Sequence, residues 1–208
     1  MSTSAAEEIE RTVRRLCDAG DRAGAATAAI RGYGPEVYGF LLRMHRSDQD
    51  ADDVFAIWSE RVWRSLEGFA WDSSLRTWAY VIARNASYNH RRDARVRADR
   101  APSLPETSQL EEIQAEVRSE TRPYQRTEAK DKLAQLRESL PPEDRLLLVL
   151  RVDRDLEWKD LARVTLGVEE HVDDAVLARE SQRLRKRFQH VKERLVELGV
   201  REGMLRRG

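Results

Sequence analysis

The chain has 208 residues, and 37 lysines and arginines balance 37 acids to a formal net charge of zero, with 36% of all residues charged. That length allows one large or two small domains with modest cores. Overall charge therefore identifies no partner, and only the distribution of charge can. Cys17 is the single cysteine, so an intrachain disulfide is excluded and a reducing cytoplasm is the expected compartment. No apolar run approaches membrane-spanning length, and the opening residues carry early acids rather than a hydrophobic signal core, so neither membrane insertion nor export is expected.

The pattern is helical throughout: glycine is sparse, β-branched runs are short, and Ala, Leu, Arg and Glu dominate. Ile9, Val13 and Leu16 mark a first helix closed near Gly20. Asp21 can cap a second, alanine-rich helix to about Arg31. Pro35 can open another, continued by Val37, Phe40, Leu41 and Met44. Ser47 or Asp48 caps a long helix carrying Val54, Ile57, Trp58, Arg61, Val62 and Leu66, which Gly68 ends. Ser73 or Ser74 caps the next, with Leu75, Trp78, Ile82 and Ala86 on one face.

From about Ala98 the pattern breaks at Pro102, Pro105 and Pro123, which predicts a linker with a short helix over Gln109–Ser119. Periodicity returns at Leu133, Leu136 and Leu140, and Pro141-Pro142 starts a helix through Leu146, Val149, Leu150 and Val152. A short helix with Leu161 and Val164 ends at Gly167. The last helix runs from roughly Asp173 to Leu198, apolar at Leu177, Leu184, Phe188, Val191 and Leu195 and basic on its other face. A short helix, a turn and a long basic helix form the pattern of a helix-turn-helix module. The predicted fold is all-α: two helical domains joined by a flexible linker, the C-terminal one a helix-turn-helix domain. The boundaries fall at 1–97, a linker at 98–128, a second domain at 129–199 and a tail at 200–208.

Chemistry is sparse. His45, His90, His171 and His190 form no metal-ligand pattern with Cys17, and there is neither a glycine-rich phosphate loop nor a nucleophile–base constellation. No catalytic residue, cofactor or metal is expected. Charge, by contrast, is segregated. Six arginines between Arg84 and Arg100 face only Asp93 and Asp99, and seven lysines and arginines between Arg179 and Arg194 face only Glu180 and Glu193. Acid collects at Asp48–Asp53 and Glu106–Glu120.

The most informative stretch is Phe69 to Arg97, FAWDSSLRTWAYVIARNASYNHRRDARVR. A polar loop between aromatics leads into a helix that begins apolar and ends basic. Aromatic faces stack on unpaired bases, amides read base edges, and arginines hold phosphates. The mixture suits a grip on a melted strand. Aromatics at helical spacing are also commonly core, and Trp78 and Ile82 are expected beneath the loop.

These residues resemble the extracytoplasmic-function group of bacterial sigma-70-type sigma factors, from about Arg15 to Leu198. Asp72-Ser73, Thr77-Trp78, Tyr80, Ile82-Ala83 and Asn85 are similar to the group's promoter-melting segment, and Asp50-Ala51-Asp52-Asp53-Val54 to its polymerase-binding helix. Leu140-Pro141, Arg145, Leu150-Arg151, Trp158, Leu161-Ala162 and Gly167 resemble the start of its C-terminal DNA-binding domain. The resemblance implies a protein without an active site that binds core RNA polymerase and promoter DNA, and a linker suited to wrapping by an anti-sigma factor. Polymerase contact falls to Asp50, Asp52, Asp53, Arg61 and Trp63. Capture of the minus-ten strand falls to Phe69, Trp71, Asp72, Ser73 and Asn85, with Arg84, Arg91, Arg92 and Arg95 on phosphates. Minus-thirty-five reading falls to Arg179, Ser181, Gln182, Arg183, Lys186 and Arg187.

Two departures stand out. Ala56-Ile57 replaces the group's usual Gln-Glu, and Val168–Ala175 is longer and acidic, with Glu169, Glu170, Asp173 and Asp174. Two rival functions use the same residues: a helix-turn-helix repressor acting on duplex alone, and a helical adaptor whose basic faces meet acidic proteins.

Overall fold

A computed structural model of the chain describes residues 3–45, 47–92, 107–128 and 136–202. These form α1 (Thr3–Asp18), α2 (Arg22–Met44), α3 (Asp48–Ser65), α4 (Leu75–Arg92), α5 (Thr107–Glu128), α6 (Pro142–Leu148), α7 (Trp158–Leu166) and α8 (Asp174–Arg201), with no strand among the described residues. The fold is all-α.

Caps read from the sequence recur in the structure. Asp21 Oδ1 accepts the Gly24 N–H at 2.9 Å, Ser47 Oγ that of Asp50 at 3.3 Å, and Ser74 Oγ that of Thr77 at 3.1 Å. Each satisfies an amide that a helix start leaves without a partner. Gly167 closes α7 in the left-handed region at φ 71°, where a side chain is disfavoured.

One expected break is absent. The two helices predicted either side of Pro35 are a single helix, α2, with Pro35 inside it. Burial explains why. Tyr33, Val37, Tyr38, Phe40 and Leu41 are each at most 1% exposed, and α2 packs on α1, α3 and α5. Its glycines admit the neighbours: a Cβ at Gly32 would lie 2.6 Å from Ile9 Cγ2, and one at Gly34 would lie 3.1 Å from Val117 Cγ1. Packing on several sides outweighs the loss of one helical hydrogen bond.

The region predicted as a linker contains α5, longer than the expected Gln109–Ser119 segment. Its Leu110, Ile113 and Val117 are buried at helical spacing, and Arg31 pairs with Glu116 at 2.8 Å. Few apolar residues suffice because Leu110, Ile113 and Val117 recur at helical spacing on one buried face, and Val117 meets Gly34 of α2.

α3 and α4 pack together over Trp58, whose Nε1 donates to the Ala79 carbonyl at 3.0 Å. α4 also packs against α7, and α8 against α6 and α7. After α6 the backbone widens into a π turn at Val149–Asp153 before α7. The main apolar core runs continuously from Val13 to Leu184, so the helices after residue 136 share it with those before residue 92.

Candidate nucleic-acid interface

The loop between α3 and α4 is built on aromatic rings. Phe69 is 8% exposed, with ring centroids 4.9 Å from Trp71 and 5.0 Å from Trp78. Trp78 and Ile82 are buried beneath it, as expected. Phe69 is therefore floor rather than open wall. Trp71 is half-buried at φ 59°, with the Arg14 guanidinium 5.1 Å from its ring centroid. Asp72 is exposed and Ser73 half-buried.

Asn85 lies on α4, and both polar atoms of its amide have partners. Nδ2 donates to the Gly167 carbonyl at 2.9 Å and to Glu169 Oε1 at 3.0 Å, while Oδ1 accepts from Arg84 Nη1 at 3.0 Å. Arg84 also stacks 4.2 Å above the Tyr88 ring. Arg91 donates to the Met44 carbonyl at 2.6 Å. The side chain of Arg92, and the whole of Arg95 and Arg97, lie outside the described residues.

The acidic start of α3 divides by direction. Asp52 Oδ1 accepts the Tyr38 hydroxyl at 2.5 Å, and its backbone carbonyl accepts Arg118 at 3.3 Å, so this carboxylate serves the fold. Asp50 pairs with the buried His90 at 3.0 Å, and Asp53 accepts Gln49 at 2.9 Å. Asp50, Asp53 and His90 bring one oxygen or nitrogen each within 4.8 Å of one another, a spacing that could hold a cation, although exposed acids often lie so without one. Trp63 packs its half-buried ring on the core. Arg61 Nη2 reaches Glu169 Oε1 at 2.9 Å.

On α8 the expected DNA-facing residues do not share one face. Ser181 is 7% exposed and donates to the carbonyls of Leu177 and Trp158 at 2.7 and 3.0 Å. Its hydroxyl ties α8 to α7, which corrects the expectation that it reads DNA. Gln182 and Lys186 are exposed, and Arg179 is exposed with its Nε turned to the Ala175 carbonyl at 3.4 Å. Arg183 is gripped by both oxygens of Glu180 at 2.7 and 2.6 Å, which raises its already high pKa. Arg187 is held by Asp144 at 2.6 Å. A cleft of about 270 Å³ between α4 and the later helices is lined by Arg84, Tyr88, Glu143, Arg183 and Arg187.

Sequence reading missed the residues that join the two halves. Arg163 is 6% exposed and donates to the Glu170 carbonyl at 3.1 Å and the Asp72 carbonyl at 3.3 Å. Asp160 meets Thr77; burial raises its carboxyl pKa, and the Thr77 hydrogen bond opposes that rise. Arg76 bonds the buried Glu36 and the Arg154 carbonyl, the latter at 2.7 Å. The unusual length and acidity of Val168–Ala175 was the one available signal.

Residues 29–97 match the model of sigma-70 region 2, which therefore covers the candidate capture face and ends before α5. Over 95 residues the chain is 36% identical to the ECF RNA polymerase sigma factor SigG of Mycobacterium tuberculosis, in strains CDC 1551 / Oshkosh and ATCC 25618 / H37Rv; the match covers 40% of this chain and 26% of that protein. The chain thus spans about a quarter of the length of those relatives. The RNA polymerase sigma-H factor of Pseudomonas aeruginosa is 29% identical over 165 residues, covering 76% of this chain and 82% of that protein.

Proposed function

We propose that this chain belongs to the extracytoplasmic-function group of sigma-70-type sigma factors, binds core RNA polymerase, directs it to promoters and catalyses no reaction itself; the match to sigma-70 region 2 and the likeness to two sigma factors support this reading. The N-terminal domain, residues 1–97, would bind polymerase and capture the melted minus-ten strand. Residues 98–128 connect it to a helix-turn-helix domain at 129–199 that would read the minus-thirty-five element, followed by a tail at 200–208.

The observation that carries this reading is the loop from Phe69 to Ser74 with Asn85, inside the region 2 match. Flipping a base out of the stack costs a few kcal/mol, which a pocket returns by stacking and hydrogen bonding. Phe69 floors such a pocket, Trp71 stands at its side, and the Asn85 amide can both donate to and accept from a base edge. Arg84 and Arg91, with Arg92 and Arg95 further along, supply phosphate contacts that add affinity without sequence choice. On α3, Asp50, Asp53, Arg61 and Trp63 are the residues proposed to meet polymerase. On α8, Gln182, Lys186, Arg179 and, once released from Glu180, Arg183 are those proposed to enter the major groove. An anti-sigma factor is the proposed regulator.

The test is transcription in vitro with purified core polymerase on a randomised promoter library. Enrichment of paired minus-ten and minus-thirty-five sequences, dependent on this chain, is expected. Tight duplex binding without polymerase and no transcript would replace the reading with a repressor. No DNA dependence in either assay would replace it with an adaptor.

A further inference from the structure

The acidic connection between α7 and α8 sits on the face proposed to capture the melted strand. Glu169 Oε1 accepts both the Asn85 amide, at 3.0 Å, and the Arg61 guanidinium, at 2.9 Å. The Gly167 carbonyl takes Asn85 Nδ2 as well, at 2.9 Å. His171 Nδ1 stands 3.3 Å from Asp72 Oδ2, and Arg163 clamps the loop from Glu170 back to the Asp72 carbonyl. Asn85, Asp72 and Arg61 are thus all engaged by residues from 163 to 171.

The neighbouring acids have other partners. Asp173 Oδ1 caps α8 through the Ala175 N–H at 2.7 Å, and Asp174 pairs with Lys159 at 2.9 Å. Both support the local turn. Glu169 is the acid of this connection that reaches across to α3 and α4. Gly167 permits the approach: a Cβ there would lie 2.6 Å from Asn85 Oδ1 and would also collide with Arg84 Nη1.

A carboxylate and a carbonyl offer Asn85 the acceptor atoms that a pyrimidine carbonyl or a purine ring nitrogen would offer, and the same carboxylate holds Arg61, a residue proposed to meet polymerase. We infer that the Gly167–His171 connection is an internal competitor for single-stranded DNA, occupying the capture face of the free protein until polymerase and promoter displace it. The inference rests on the proposed role of Asn85. A binding-competent state populated only in part lowers apparent affinity by that fraction. The competitor therefore reduces strand binding by the free chain without altering the pocket itself.

The experiment measures binding of the full chain to a fluorescent pool of short randomised single-stranded DNA, for the unaltered protein, Glu169→Ala, Glu170→Ala, Asn85→Ala and the Glu169→Ala/Asn85→Ala pair. Glu170→Ala removes the same charge from the same connection, where the backbone carbonyl rather than the side chain makes the bond to Arg163. Glu169→Ala is expected to tighten binding by about threefold to tenfold, Glu170→Ala by less than about twofold, and the added Asn85→Ala to remove the gain, because only one state of the equilibrium is released. Equal gains from Glu169→Ala and Glu170→Ala would reduce the effect to general charge and overturn the inference. No gain from Glu169→Ala, with Asn85→Ala still weakening binding, would overturn the competitor and leave the capture pocket standing. Binding indifferent to Asn85 in both backgrounds would remove the pocket and the competitor together.

Discussion

The loop at Phe69–Ser74 and the helix α8 are both proposed to touch DNA, yet they are held in opposite ways. The loop stands on a buried aromatic floor, and its polar neighbours are engaged by residues more than 80 positions later in the chain, as with Asn85 and Gly167. The basic residues of α8 are restrained by acids nearby, Arg183 by Glu180 one turn earlier and Arg187 by Asp144 on α6. Opening the first therefore requires two packed elements to part, whereas opening the second requires only an exchange of salt-bridge partners. The Arg183–Glu180 pair lies at the surface, where such pairs contribute about 0–1 kcal/mol, so a DNA phosphate can replace it readily.

The largest effect is expected in the α3–α4 packing that carries the loop. Trp58→Ala removes a fully buried ring stacked on Phe55 and bonded to Ala79, and is expected to cost about 3–5 kcal/mol. Phe188→Ala on α8 removes a half-buried ring with one edge-to-face partner, Trp158, and is expected to cost about 1–2 kcal/mol. Calorimetry should give a single transition for both variants, because the two halves share a core. Two separate transitions would divide them.

Next in size is the capture step. Asn85→Ala should weaken binding of the polymerase complex to a pre-melted fork by about 1–3 kcal/mol while leaving duplex binding nearly unchanged. Equal losses on both templates would assign Asn85 to ordinary polar packing.

A smaller effect is expected on α8. Arg183→Ala removes the proposed base contact but also frees Glu180, so the net cost on the preferred promoter should be about 1–2 kcal/mol, with a relaxed choice at one minus-thirty-five position. Arg194→Ala should leave the selected sequence unchanged. If alanine at Arg183, Gln182 and Lys186 together leaves it unchanged too, α8 does not read bases.

The smallest effect concerns the seam between the halves. Burial raises the Asp160 pKa above its unfolded value, so the ionised form is disfavoured in the folded protein. Stability is full below the ordinary carboxylate range and falls as pH rises through the raised value. Asp160→Asn keeps an acceptor for Thr77 and removes that penalty. Thermal melts should show the variant slightly more stable than the parent at neutral pH, with the gap closing in acid.

Much of this was legible in the residues themselves. Caps at Asp21, Ser47 and Ser74, and the stop at Gly167, carry their chemistry in one side chain and its neighbours, so local sequence suffices for them. The aromatic loop was legible for the same reason, its rings and its amide lying within one short stretch. The continuity of α2 through Pro35 was not, because it depends on neighbours that close in at Gly32 and Gly34. Ser181 was misplaced by one helical face: its neighbours are basic, but its hydroxyl lies on the side where α7 approaches. The engagement of Asn85 by Glu169 depends on how distant helices meet, which no local pattern encodes.

The first helix has a consequence for the loop it touches. Trp71 holds a left-handed backbone that costs a side-chain-bearing residue on the order of 1–2 kcal/mol. From α1, Arg14 lies over its ring, and one turn away Glu10 Oε1 accepts the Leu75 N–H at 3.1 Å, capping α4 from outside. α1 precedes the residues matched to sigma-70 region 2, yet it pins the loop at Trp71 and at its junction with α4, like a splint. The ordering entropy of that loop is thereby met when the protein folds rather than when a strand arrives. α1 thus stiffens the proposed pocket from outside, and shortening α1 should soften that loop while leaving every residue proposed to touch DNA in place.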